Sequence, residues 1–130
     1  MKFALINPPW SYEGSIYFGC QEPHLPLEFG YAKALLEKAG HEAILVDGHL
    51  LGLSLEEIKR ETDRFGADFI VVATAPTYLF WRCPPPELRT PALAVEAVKR
   101  SGSVVIGVGP HGSVTPSTVL RKLGIDAVFR

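Results

Sequence analysis

The sequence predicts an α/β fold built on a doubly wound, parallel, five-stranded sheet, and three observations carry that prediction. Five short apolar runs, Phe3 to Ile6, Ala43 to Val46, Phe69 to Ala73, Val104 to Ile106 and Ala127 to Phe129, each end in a turn-forming or polar residue. None alternates apolar with polar, so each reads as a strand buried on both faces. The segments between them carry helical spacing with start and stop residues. The length of 130 residues, 47% of them hydrophobic, fits one domain, 1–130, around one core. Both faces of the sheet are therefore expected to be covered. In such a sheet a ligand sits at the carboxyl ends of the strands, near the point where strand order reverses.

The first strand stops at Asn7 because Pro8 and Pro9 have no N–H to give to a sheet ladder. Leu27, Tyr31, Ala34 and Leu35 recur at helical spacing and predict the inward face of a first helix, which Gly40 stops. The second strand ends at Asp47-Gly48. Ser54 followed by Glu57 is a capping box for the second helix, with Leu55, Ile58, Thr62 and Phe65 as its stripe and Gly66 as its end. After the third strand, Thr90-Pro91 reads as an N-cap followed by proline at the first helical position, and Leu93, Ala94, Ala97 and Val98 face inward until Gly102. The fourth strand runs into Gly107, Gly109 and Gly112, which read either as a tight turn or as room for a bulky ligand to approach the backbone. Thr115-Pro116 repeats the start signal for a helix with Val119, Leu120 and Leu123. No helix pattern follows the fifth strand, so the chain is expected to be part of a longer protein whose next segment packs there. Short right-handed crossovers through these elements predict the flavodoxin-like, or Rossmann-like, strand order 2-1-3-4-5.

Two connections are long: about 18 residues follow the first strand and about 15 the third, against roughly 2 to 6 in ordinary units of this kind. Both lie on the carboxyl edge. They hold Trp10, Tyr12, Tyr17 and Phe18 in one case, and Tyr78, Phe80, Trp81 and Pro84-Pro85-Pro86 in the other. They read as a wide apolar surface for a ligand or partner, or alternatively as a minor core over the sheet edge. With 13 basic and 14 acidic residues and no basic stripe, the chain gives no footprint for nucleic acid. Its apolar stretches are strand length, far short of the roughly 20 residues a membrane span needs. The first residues enter a strand directly, without a signal-peptide pattern. Cys20 and Cys83 have no neighbouring cysteine to form a zinc or iron–sulfur ligand set, and free thiols fit a cytoplasmic protein.

Several chemistries lack their residues. Gly107-Val108-Gly109-Pro110-His111-Gly112 spells G-x-G-x-x-G, but after the fourth strand, and Pro110 removes an amide that a pyrophosphate would use. A magnesium-binding receiver domain needs carboxylates after the first and third strands, where this chain has Asn7 and Ala73-Thr74. No nucleophile elbow, P-loop or paired carboxylates appear, so hydrolase and kinase chemistry have no players.

Ile6-Asn7-Pro8-Pro9, Leu27-Glu28-Phe29-Gly30-Tyr31, Ala39-Gly40-His41-Glu42, Val46-Asp47 and Gly107-Val108-Gly109-Pro110-His111 together resemble the N-terminal cobalamin-binding domain of class B radical S-adenosylmethionine (SAM) enzymes. The pieces span essentially the whole chain in the family's order; each is short, and their combination is what is specific. Val108 stands where the family commonly has a second glycine, and the family's CxxxCxxC cluster motif is absent. The resemblance implies base-off cobalamin at the carboxyl edge, with the benzimidazole tucked into the domain and no protein ligand on the cobalt. It also implies a C-terminal radical SAM domain in the parent chain, holding a [4Fe-4S] cluster and S-adenosylmethionine for methyl transfer or related radical chemistry. This chain alone is expected to bind cofactor and not to turn over, with no catalytic or metal-ligating residue of its own.

The residues expected to meet cobalamin are Asn7, Pro8, Pro9, Trp10, Thr74, Thr77, Tyr78, Gly107, Gly109, Pro110, His111 and Gly112. Thr74 and Thr77 are expected to donate to oxygens of the nucleotide tail, and the glycines to leave it room. Asp47-Gly48-His49-Leu50-Leu51-Gly52 matches the D-x-H-x-x-G string with which domains of the methionine synthase type offer a histidine to cobalt. There the string follows the first strand, whereas here it follows the outer second strand, so His49 is expected to be a decoy. The rival from another class is a protein-interaction module that docks a partner through its aromatic loops and binds no cofactor. A third reading is a small-molecule enzyme using His24, His111 or Cys20.

Overall fold

Five parallel strands form the sheet β2-β1-β3-β4-β5 in the computed structural model, which describes residues 1–11, 23–76, 88–100 and 102–130. Tyr12, Tyr17, Phe18, Cys20, Thr77, Tyr78, Phe80, Trp81, Cys83 and Pro84 to Pro86, named above, lie outside the described residues. The strands are β1 (Lys2–Asn7), β2 (Glu42–Asp47), β3 (Phe69–Ala73), β4 (Val104–Val108) and β5 (Ala127–Val128). Helices α1 (Leu27–Lys38), α2 (Leu55–Phe65) and α3 (Arg89–Val98) fill the first three connections, and α4 (Pro110–Val114) and α5 (Pro116–Leu123) share the fourth. The expected strand order is the observed one.

Side-chain alternation along each strand divides the core in two. Ala4, Ile6, Ile70, Val72 and Val105 point to one face, where Ile58 of α2, Ala94, Val95 and Val98 of α3, and Val119 and Leu123 of α5 pack on them. Each such Ile or Val removed from water contributes about 1.5 to 3 kcal/mol. The other face carries Leu5, Val71, Ala73 and Ile106, with Phe29 of α1 against them. Among the described residues α1 is the only helix on that side, so the expectation of two fully covered faces holds for the first face alone.

The capping box forms as the sequence predicts. Ser54 Oγ accepts from the Glu57 amide, and the Glu57 carboxylate accepts from the Ser54 amide at 2.8 Å. The Ser54 amide and, with it, the Ser54 hydroxyl, which donates to the same carboxylate at 2.9 Å, hold the Glu57 carboxyl below its ordinary value. Three local expectations are corrected. The stripe Leu27, Tyr31, Ala34, Leu35 faces outward, with Tyr31 74% and Leu35 66% exposed, while Phe29 is buried. Helix α1 is apolar on two sides, and the ring without a hydroxyl takes the sheet. Helix α3 begins at Arg89, so Thr90 lies inside it, and Leu93 is exposed. Pro91 still fits because the amides of a first helical turn have no acceptor within the helix. The tight turn expected after β4 contains the short helix α4, for which Pro110 supplies the first residue.

Candidate functional site

Parallel register brings the ends of β1, β3 and β4 together on the carboxyl edge, with Asn7, Thr74 and Gly109 at their exits. Asn7 is 3% exposed and sits opposite Asp47 in the β1–β2 ladder. Its Nδ2 donates to Asp47 Oδ1 at 2.7 Å, and its Oδ1 accepts from Trp10 Nε1 at 2.8 Å. The Leu50 amide donates to the same Asp47 Oδ1 at 3.0 Å, while Asp47 Oδ2 is buried without a hydrogen-bond partner among the described residues. Pro8 is buried, Pro9 and Trp10 are half-buried, and Trp10 packs on the cluster of Leu5, Phe29 and Val71.

Thr74 is 1% exposed, and both its amide and its hydroxyl donate to the Val108 carbonyl at 2.8 Å. Its hydroxyl proton thus ties the exits of β3 and β4 together. Gly109 has φ +111, and a Cβ there would stand 3.1 Å from Thr74 Oγ1, so this crossing of two strand exits needs glycine. Gly107 and Gly112 pack against protein on the side that a Cβ would take. A Cβ on Gly107 would lie 2.7 Å from Ile125 Cδ1 and one on Gly112 2.7 Å from Val128 Cγ1, so a side chain at either position would have to displace that neighbour. Pro110 is exposed and His111 half-buried at the start of α4.

His49 stands beyond β2, at the margin of the sheet and two strands from β3. Burial lowers its affinity for a proton, the Asp47 carboxylate partly restores it, and His24 lowers it again. Burial therefore favours the neutral form of the ring. Among the described residues no group of three or more His, Cys, Asp or Glu is placed to hold a metal ion.

On the α1 face an apolar cavity of about 520 Å³ runs along the sheet. Leu5, Val71, Ile106 and Val108 form its floor, and Phe29 and Leu36 of α1 form one wall. Leu5, Phe29, Val71 and Ile106 also belong to the cluster that supports Trp10, so the cavity and the carboxyl-edge residues share one apolar base. Neither this cavity nor Asp47 is among the site features expected from the sequence, where Asp47 figures only as a strand end. The signal for Asp47 was its position at the end of β2, level with Asn7 at the end of β1. No described helix is long and apolar enough to cross a membrane.

No family model and no curated protein sequence matches the chain. Solved structures do. The radical S-adenosylmethionine methyltransferase TsrM from Kitasatospora setae, with cobalamin and a [4Fe-4S] cluster bound, aligns over 98% of this chain and 22% of its own, at TM-score 0.71 and 19% identity. The same enzyme with its tryptophan substrate and a SAM analogue gives a TM-score of 0.72 over the same shares. This chain thus spans about a fifth of that protein's length. A receiver domain of a sensor histidine kinase from Pseudomonas aeruginosa, with magnesium in its active-site cleft, covers 98% of this chain and 82% of its own, at TM-score 0.57 and 12% identity. At these identities the likeness establishes the fold, which all three share.

Proposed function

We propose that this chain is the cobalamin-binding domain of a radical SAM enzyme, holding the cofactor base-off at the carboxyl ends of β1, β3 and β4. The observation that carries the reading is the apolar cavity against the same strands whose exits bear Asn7, Trp10 and Gly109. Cobalamin has two parts to satisfy: a broad apolar corrin fringed with amides, and a planar benzimidazole that must leave water when it leaves cobalt. The residues present fit both. Pro8, Pro9 and Trp10 offer an apolar rim for the corrin, and the cavity floor of Leu5, Val71 and Ile106 suits the benzimidazole. TsrM, whose cobalamin-bound structure shares this fold, supports the choice over the receiver, whose carboxylate positions hold Asn7, Ala73 and Thr74 here.

Bound cobalamin would supply a methyl carrier or a radical partner to a catalytic domain. The chain's own residues bind and orient it, and exclude water from the benzimidazole. The cluster, S-adenosylmethionine and substrate belong, on this reading, to the radical SAM domain of the longer parent. Hydroxocobalamin mixed with the chain and passed through a desalting column should leave with the protein as a coloured complex. A second reading, a docking module without cofactor, is favoured by the outward stripe Leu27, Tyr31 and Leu35 on α1. That module would leave the column colourless.

A further inference from the structure

We propose that Asp47 is a positioning residue of this site: acting through Asn7, it fixes the indole of Trp10 against the sheet. The effect on ligand binding rests on the cobalamin reading above, whereas the effect on Trp10 rests on hydrogen bonding alone. A carboxylate accepts and does not donate, so Asn7 must turn its NH₂ group to Asp47 Oδ1, 2.7 Å away. That choice leaves Asn7 Oδ1 facing Trp10, whose indole N–H can only donate and does so at 2.8 Å. A flipped Asn7 amide would set oxygen against oxygen on one side and N–H against N–H on the other. The Leu50 amide, 3.0 Å from the same oxygen, holds Asp47 from the turn after β2.

Asp47 is an expensive way to close a strand end. It is 5% exposed and its Oδ2 has no hydrogen-bond partner among the described residues, an arrangement that costs folding free energy relative to an apolar side chain of similar size. What only an acceptor at position 47 supplies is the direction of the Asn7 amide. With its N–H engaged, Trp10 offers a ligand only the apolar part of its ring, which suits a corrin.

The test uses Trp81→Phe as background, which leaves Trp10 the only tryptophan, because the sequence has 2. In that background Asp47→Leu should lower the fluorescence anisotropy of Trp10, red-shift its emission and weaken hydroxocobalamin binding about tenfold. Asp47→Asn should rescue both signals, because the amide oxygen can take the place of Oδ1. If Asp47→Leu does not fold by circular dichroism, Asp47→Ser, too short to reach Asn7, carries the same expectation. Unchanged Trp10 anisotropy in the folded variant would overturn the proposal. So would an Asp47→Asn protein that keeps Trp10 ordered yet loses hydroxocobalamin, since Asp47 would then touch the ligand itself. If the parent protein binds no hydroxocobalamin, the cobalamin reading and the site role of Asp47 both fall. The anisotropy would still decide whether the relay exists.

Discussion

Burial lowers the proton affinity of His49, and the nearby Asp47 only partly offsets it. The neutral ring has the right charge state for a metal ligand, but it stands at the margin of the sheet. His49→Ala should therefore leave both cobalamin affinity and the visible spectrum of the complex unchanged. A shift from histidine-ligated to water-ligated cobalt in the variant would contradict this. Because the folded state disfavours the protonated ring, the unfolded chain binds more protons below about pH 6.5, and this group's stabilisation is lost as pH falls through its lowered folded value. Denaturant titrations across that window should show a shallower acid decline in His49→Ala. Trp10→Ala should weaken cobalamin by about 1 to 3 kcal/mol if the ring is covered by ligand, measured by absorbance titration. Asn7 was legible in the sequence because two prolines behind it end the strand. Asp47 was not, because its partner lies 40 residues away and only the parallel register makes them neighbours.

At the scale of elements, the capping box of α2 was read correctly, and the choice between two apolar faces was not. The capping box of α2 is local, and Ser54→Ala should cost about 0.5 to 2 kcal/mol in denaturant unfolding. For α1, spacing alone offers two stripes, and only the shape of the sheet decides that Phe29 goes in while Tyr31 and Leu35 stay out. Phe29→Ala should thus destabilise the domain by about 3 to 5 kcal/mol. Tyr31→Ser should change stability by less than about 0.5 kcal/mol. Equal losses in the two variants would restore the stripe expected from the sequence. The start of α3 was misplaced for a related reason: proline is tolerated anywhere in a first turn, so Thr90-Pro91 marks a helix start without fixing its first residue.

The order β2-β1-β3-β4-β5 makes one side of the carboxyl edge a meeting place for β1, β3 and β4. The reversal of direction after β2 also makes α1 the only described helix on its face, and the apolar cavity lies beside it. Topology was legible because every strand is a continuous apolar run and right-handed crossovers leave few alternatives. The cavity was not, because an open face is a property of which helices are neighbours in space. Fold likeness to TsrM and to a receiver domain leaves ligand choice to the site, where a missing carboxylate pair and an apolar cavity favour a large, mostly apolar cofactor. The most direct measurement is an equilibrium titration of the folded chain with methylcobalamin, followed in the visible spectrum. Saturable binding with conversion from the red base-on form to the yellow-orange base-off form is the expected result. A chain that stays folded while the methylcobalamin spectrum remains that of the free, base-on cofactor at every protein concentration would contradict it.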